Sequence, residues 1–490
     1  MTLPSSISQP CVVLPENPSL QLTTSSDRFD GSEKTGMALV GVGLVGLLAA
    51  LFGAGSNAPA VALVISMGGL TLGSGLLFRA YLKRPAGVDN NGVWFSAATA
   101  RGMAGWILGI VFTGFYIVLY WAPSNLEHLI RMTDPLSSAL RGQAADRWFL
   151  YGFFYTVAVL IMGARMIVKY RDNRYQILRT ISVMFFQLGF AFLLPGLLLM
   201  LNEPEYYFSY FWPLKYDYLW PGSISFFSSA SSLGVFMVFW GAVMFFLATP
   251  VLTYFFGKRW YCSWVCGCGG LAETAGDPFR HLSDKSLTSW KIERWMVHSV
   301  LVFIVVTTGL LWGNSATAGA WLGGMSGAFS RTYGFFIGLV FAGVVGVGFY
   351  PIMGTRVWCR FGCPMAAVLG LLQKYFSRFR ITTNGGQCIS CGNCSTYCEM
   401  GIDVRWYAQR GQNIVRSSCV GCGVCATVCP RGVLKLENGP MQGRYNGPIL
   451  IHHDAVSVQL DDAWIRSRPL LPSTQEDLPV LTDADFDTLR

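Results

Sequence analysis

Apolar and polar stretches alternate along the chain on a scale of about 20 residues rather than on the scale of a strand or a surface helix. Apolar runs occupy roughly 37–54, 58–79, 103–122, 148–169, 178–201, 232–256, 295–313 and 332–353, with short polar loops between them. Each is close to the ~20 residues that a helix needs to cross a bilayer. The first two are the weakest, being Gly-rich and joined by only a few residues. After Tyr350 the rhythm stops and the chain turns soluble. The pattern predicts eight membrane-spanning helices followed by a small soluble part.

Composition agrees. Only 13% of the 490 residues are charged, against 52% hydrophobic and 14% aromatic, which excludes a string of soluble domains. The excess of 36 Lys and Arg over 27 Asp and Glu reports topology rather than nucleic-acid binding, and no nucleic-acid partner is expected. Fifteen basic residues fall in the loops on one side: Arg79 to Arg101, Arg165 to Arg179 and Lys258 to Arg294. Five fall on the other: Arg131, Arg141, Arg147, Lys215 and Arg331. The positive-inside rule then puts both termini and every clustered cysteine in the cytoplasm of a bacterial inner membrane. Residues 1–36 lack a cationic start before an apolar run, so they read as a retained polar tail, not a signal peptide.

Thirteen of the 14 cysteines lie between Cys262 and Cys429. The strongest motif is Cys388-x2-Cys391-x2-Cys394-x3-Cys398, repeated as Cys419-x2-Cys422-x2-Cys425-x3-Cys429-Pro430. A cubane takes four thiolates, and in such paired runs the fourth cysteine crosses to the other cluster. One [4Fe–4S] cluster is therefore expected on Cys388, Cys391, Cys394 and Cys429, and a second on Cys419, Cys422, Cys425 and Cys398. A pair of zinc sites is the alternative. Gly392, Gly421 and Gly423 suit tight ligand loops. Glu399 stands where the first run would ordinarily have Pro. Its carboxylate either disfavours extra electrons on that cluster or sits harmlessly at the surface.

A second signal is Cys262-Ser-Trp-Val-Cys266-Gly-Cys268 with Cys359-Arg-Phe-Gly-Cys363-Pro364. Both lie just past the end of a span, and four-residue spacing would put the two sulfurs on one helical face. These five cysteines are candidates for a third iron–sulfur or metal centre, with either Cys266 or Cys268 as a ligand. Thiol redox chemistry and plain helix-end packing stay open.

Trp260-x-Cys-Ser-Trp-Val-Cys266, two spans, Arg356-Val-Trp-Cys-Arg-Phe-Gly-Cys-Pro364 and then the paired runs resemble the membrane polyferredoxins over residues 232–438. Relatives in that family include the ferredoxin subunit of periplasmic nitrate reductase systems, the nitrous-oxide reductase maturation flavoprotein and the cytochrome oxidase assembly copper reductase. The resemblance implies electron transfer at the membrane, often linked to quinol. This chain departs from the family pattern at Cys266-Gly267, where Cys-Pro is usual. It also departs in its four extra N-terminal spans and in lacking the flavin and extracytoplasmic domains of those relatives.

Other signals carry less. Gly41-Val-Gly43-Leu-Val-Gly46 matches a dinucleotide fingerprint but lies inside a span with no βαβ unit, so it reads as helix packing. Of the five histidines only His298 approaches a span, which argues against intramembrane haem. Ser315-Ala-Thr317 has no flavin-binding surroundings. The loop Tyr206–Trp220 holds nine aromatics in fifteen residues. It reads as an interfacial belt, or as a docking or quinone-headgroup site with Glu203, Glu205 or Asp217 accepting protons. Residues 124–132 resemble a short surface helix, and Cys11 an ordinary thiol.

The expected protein is all-α and polytopic, with a small α+β cytoplasmic bacterial-type 2[4Fe–4S] ferredoxin domain. Its expected parts are a tail (1–36), five N-terminal spans (37–230), a core with two CxxxC motifs (231–364), the ferredoxin domain (365–440) and an acidic tail (441–490). The expected function is one-electron transfer between a cytoplasmic or quinol donor and a membrane or periplasmic redox partner. A copper-ion reductase or a redox assembly or sensor factor is the alternative. The implied associates are membrane lipid, redox proteins and a quinone.

Overall fold

The computed structural model describes residues 30–82, 99–384, 387–438, 451–453 and 456–458. Residues 1–29 of the N-terminal tail, Cys11 among them, and nearly all of the acidic C-terminal tail lie outside the described residues. Eight helices among those described are long and apolar enough to cross a membrane: Gly31–Leu51, Pro59–Tyr81, Met103–Trp121, Arg147–Lys169, Arg174–Met200, Ser232–Phe256, Leu287–Ala316 and Met325–Gly348.

Two helix starts differ from the sequence expectation because caps extend them. Asp30 caps the first helix in a capping box with Glu33, so it begins at Gly31 inside the expected tail. Ser286 accepts a hydrogen bond from the Ser289 amide and starts the seventh helix two turns before its apolar stretch. The first two spans pack through glycine. A Cβ on Gly43 would lie 2.7 Å from Ser66 O and Leu70 N, whereas Gly41 touches nothing. The apparent dinucleotide fingerprint is thus a close helix–helix contact. The short helix Glu127–Met132 is present, with Leu129 and Met132 turned into the bundle.

Both long inter-span segments fold back between the helices. Residues 257–286 carry short helices at Arg259–Cys262 and Gly267–Glu273 and a 3-10 turn at Asp277–Leu282. A Cβ on Gly267 would meet Gln187 Oε1 at 2.6 Å, at the centre of the fifth span, and one on Gly270 would meet Val183. The segment therefore penetrates the bundle rather than lying on its end.

The aromatic loop Tyr206–Trp220 also descends into the bundle, so it is not an interfacial belt. Its contacts move down the sixth span: Tyr206 donates to Met237 O, the Trp240 indole to Phe208 O, and the Trp212 ring meets Phe245. At the tip, Phe211 is fully buried against Trp260 and Tyr261, and Tyr261 donates to Ser209 O at 2.9 Å. Glu203, Glu205 and Asp217 are engaged by Ser231, Tyr207 and Lys215. Nine aromatics crowd this loop because its backbone re-enters an apolar medium and must be walled off from lipid.

The soluble part is small. Strand β1 (Phe379–Thr383) pairs antiparallel with β2 (Leu434–Asn438), placing Ile381 opposite Leu436. One-turn helices Asn393–Thr396 and Val424–Thr427 follow the two cysteine loops, and Val404–Gln409 lies between them. A further short pair, β3 (Ile451–His453) with β4 (Val456–Val458), is antiparallel.

Candidate cysteine sites

The two ferredoxin-type runs fold alike. Gly392 (φ 82°) and Gly423 (φ 77°) sit left-handed just before the one-turn helices, and Ser390 (φ 60°) matches Gly421 (φ 63°). Each loop thereby wraps its three near cysteines around a common point, as the glycine reading expected. Cys388, Cys391, Cys394 and Cys429 line one cavity. Cys398, Cys419, Cys422 and Cys425 line another. Three cysteines of one run and the last of the other thus come together twice. Each set offers four sulfurs about an otherwise mostly apolar space, a donor set that fits an iron–sulfur core.

Their surroundings differ. Cys391 is exposed, whereas Cys419 and Cys425 are buried. Burial pushes the Cys419 and Cys422 thiols up to about 11, so without iron both are protonated at neutral pH and loading must release protons. The bundle grips the second loop through its backbone. Tyr175 donates to Gly421 O, the Gln176 amide to Cys422 O, Ser263 to Val420 O and the Gln373 amide to Cys419 O, all at 2.8–3.0 Å.

The membrane-proximal cysteines correct one expectation. They do not share a helical face. Cys262 ends one short helix and Cys266, extended at ψ 123°, precedes the next. Cys359 lies in a wide turn at Trp358–Gly362, and Cys363, extended at ψ 113°, precedes the helix Pro364–Tyr375. They do follow the ends of the sixth and eighth spans, at Phe256 and Gly348, as expected, and they are buried there. All four are at most 7% exposed and share one hydrophobic core with Phe211, Cys394, Cys419 and Cys425. Cys262, Cys266, Cys359 and Cys363 are within electrostatic reach of one another; Cys268 lies within hydrogen-bond reach of Cys266 and also faces a group of tyrosines. Among the described residues no three His, Cys, Asp or Glu side chains converge on a single ion.

The two motifs are a structural repeat that the cysteine spacing alone did not reveal. Gly257 (φ 69°, ψ −175°) and Gly354 (φ 90°, ψ −179°) end their helices in one conformation, each five residues before its first cysteine. A Gly at that fixed offset in both motifs was the available signal.

Sequence reasoning also missed a buried ion network joining the cysteine groups. Glu399 is neither at the surface nor facing a cluster alone: it is 1% exposed, 3.1 Å from Arg280 and 3.0 Å from Arg356. Burial alone would raise its pKa, but Arg280, Arg356 and Arg179 outweigh that and hold the carboxyl below its usual range. Arg356 also pairs with Glu273, which Arg179 engages from the other side. Arg280 pairs with Asp277, itself held by Lys169 and Arg165. The two arginines end at sulfur: Arg280 Nη1 is 3.9 Å from Cys422 Sγ and Arg356 Nη1 is 3.7 Å from Cys359 Sγ. Guanidinium groups there favour thiolate over thiol, the form that holds iron. The network's four arginines, Arg165, Arg179, Arg280 and Arg356, are scattered through the chain and gave no spacing by which to foresee this.

Comparison with known proteins agrees with this geometry. Residues 238–286 and 333–383, which contain both CxxxC motifs, match a family described as a 4Fe-4S binding domain. Residues 387–433 match a 4Fe-4S dicluster domain. The "Putative electron transport protein YccM" of Escherichia coli (strain K12) is 28% identical over 173 residues, 33% of this chain and 47% of that protein. The match thus spans about half the relative's length. No solved structure matches the chain. Eight helices of membrane-spanning length together with matches to two 4Fe-4S domain families make this multi-pass chain similar to the membrane polyferredoxins.

Proposed function

We propose that this chain is a multi-pass electron-transfer subunit with three [4Fe–4S] sites in series. Cys388, Cys391, Cys394 and Cys429 would hold the first and Cys398, Cys419, Cys422 and Cys425 the second. Cys262, Cys266, Cys359 and Cys363 would hold the third, leaving Cys268 outside the ligand set. Such clusters, when bound, supply one-electron redox chemistry. The observation that carries the reading is the single buried core running from Cys394 through Cys419 and Cys425 to the four membrane-proximal cysteines.

The chain's own residues would then do three things. The glycine turns hold the ligand loops. Tyr175, Gln176, Ser263 and Gln373 fix the second loop on the bundle and exclude water from it. Arg280 and Arg356 hold positive charge at Cys422 and Cys359. The positive-inside count supports a cytoplasmic module at a bacterial inner membrane, with the exposed first site meeting a soluble partner. Single electrons would pass between a cytoplasmic or quinol donor and a membrane or periplasmic redox protein.

Iron and acid-labile sulfide, measured on anaerobically purified protein, test the cluster number. About twelve irons per chain are expected, and Cys359→Ser should remove one cluster's share. Eight irons in both proteins would refute the third site. Mass spectrometry of co-purifying proteins tests the partner: a stoichiometric redox protein is expected. A cluster-loaded chain recovered alone would refute the subunit role.

A further inference from the structure

Where the third and seventh spans begin and the eighth ends, the chain leaves a groove of about 790 Å³, within the roughly 300–1,000 Å³ of ligand sites. Its inner wall is apolar, with Ile292, Met296, Phe341 and Val345. Ile292 is 48% and Met296 38% exposed. Exposed apolar side chains on a spanning helix meet lipid chains, so the groove opens sideways into the bilayer. Its rim is basic: Arg101, Lys285 and Arg360 line it against one carboxylate, Asp284. That carboxylate already accepts bonds from the Ser286 amide and hydroxyl. Arg101, on a left-handed backbone (φ 56°) that a residue with a Cβ seldom takes, donates to the carbonyls of Ile352 and Leu282. Lys285 donates to the carbonyl of His281. Neither forms an ion pair among the described residues, and Arg101 and Arg360 both lie close enough to repel Lys285. Arg360 is 4% exposed, gives Nε to Glu293 and Nη1 to the Asp284 carbonyl, and leaves Nη2 without a hydrogen-bond partner. Ser286, Thr288 and Ser289 line the same rim and bring to it the positive end of the 30-residue seventh helix.

We propose that this groove binds one anionic glycerophospholipid. Its phosphate would sit at Arg101, Lys285 and the start of the seventh helix, and an acyl chain would run along Ile292, Met296 and Val345. Cations that repel one another and lack an ion-pair partner select an anion. A wall that continues into the bilayer selects an anion carrying a hydrocarbon chain. A free phosphate would satisfy the rim and leave the wall uncovered, whereas a lipid without net charge would cover the wall and leave the rim charges unmet. Basic pockets between spanning helices at a membrane face take such headgroups, and Arg101 and Lys285 belong to the loops of the basic face. The inference needs only the spans and these loops, so it stands whatever the number of clusters.

The test is native mass spectrometry of the full-length, iron-loaded protein in detergent, titrated with phosphatidylglycerol or with phosphatidylcholine of the same chains. One phosphatidylglycerol should be retained, on the order of thirtyfold more tightly than phosphatidylcholine, since each of the two unpaired cations contributes about fivefold. Lys285→Gln should therefore weaken phosphatidylglycerol about fivefold. Thr288→Glu puts a carboxylate in the first turn of the helix, where it suits the helix end but opposes a phosphate. It should weaken binding at least as much without lowering the unfolding temperature, and unchanged iron content checks the folding of both variants. Equal retention of the two lipids overturns headgroup selection, and phosphatidylglycerol binding that neither variant changes overturns the site. Displacement of phosphatidylglycerol by millimolar inorganic phosphate makes the occupant a free anion and overturns the lipid. None of these outcomes alters the iron count on which the electron-transfer reading depends.

Discussion

Cys388–Cys398 and Cys419–Cys429 follow one spacing, and their backbones repeat the same left-handed turns at Ser390 and Gly421 and at Gly392 and Gly423. Around those turns the molecule treats them differently. The first loop faces outward: Cys391 is exposed and a Cβ on Gly392 would find only Arg405, 4.0 Å away. The second is walled in, with Tyr175 2.9 Å from a Cβ on Gly423 and Arg259 2.7 Å from one on Gly421. Identical ligand chemistry thus meets water and partners on one side, and the membrane bundle on the other. The motif sets the loop geometry, and residues up to 250 positions away set what each loop can do.

Removing ligands breaks the comparison most completely. Cys391→Ala and Cys422→Ala should each abolish one cluster's EPR signal while the other persists. Only Cys422→Ala should also loosen the module from the bundle, read as faster hydrogen exchange in residues 173–176. Persistence of both signals in either variant would refute the crossed ligand assignment.

Glu399→Gln is the next largest effect. The lost negative charge lies between Arg280 at Cys422 and Arg356 at Cys359, so the second and membrane-proximal sites should both become easier to reduce. At an effective dielectric near 20 a unit charge within ~8 Å is worth roughly 2 kcal/mol, on the order of 90 mV for one electron. EPR-monitored redox titration reads it, with the outward first site as an internal control that should shift far less. Equal shifts at the first two sites would show that Glu399 does not discriminate between the loops. The carboxyl is depressed in the folded protein, so its contribution is complete at neutral pH. It is lost only as pH falls below the ordinary carboxylate range and through the lowered value.

The sequence made legible whatever is local and repeated. Eight apolar runs gave the spans, cysteine spacing gave the crossed sets that line two cavities, and Gly392, Gly421 and Gly423 gave the turns. Illegible features depend on chain far apart. Apolar hydropathy alone cannot tell a loop resting at the interface from one that re-enters, and Tyr206–Trp220 reads the same either way. Segment 257–286 holds Asp277, Arg280 and Glu273, which argue for solvent by composition. Asp277 and Glu273 are buried because Lys169, Arg165, Arg179 and Arg356 arrive from elsewhere in the chain to neutralise them, and Arg280 is buried against Asp277 and Glu399. The assumption of one continuous helix through Cys262 and Cys266 failed because Cys266 breaks from helical ψ to start the next helix.

Glycine substitutions sharpen the contrast on a smaller scale. Gly392→Ala and Gly423→Ala both force a side chain into the left-handed region, at about 1 kcal/mol each. Gly423→Ala also drives a methyl into Tyr175 and should cost roughly 1–3 kcal/mol more. Thermal unfolding of the loaded protein should separate the two, and equal losses would show that the second loop is not held by the bundle.

The smallest expected difference comes from removing one polar group on each side, the Tyr175 hydroxyl also accepting a long 3.4 Å bond from the Trp264 indole. Tyr175→Phe removes the hydroxyl that donates to Gly421 O at 3.0 Å and leaves that carbonyl in a place water reaches poorly. The cost should be about 1 kcal/mol, near fivefold in the opening of the second loop. Gln409→Ala removes the amide that donates to Ser390 Oγ at 2.7 Å in the first loop. There both partners are solvent-exposed, so water replaces the lost bond and opening should change less than twofold. Hydrogen exchange of the two loops reads both changes in one experiment. A response to Gln409→Ala as large as that to Tyr175→Phe would mean that the first loop is also shielded, and the division into an outward and a docked site would have to be abandoned.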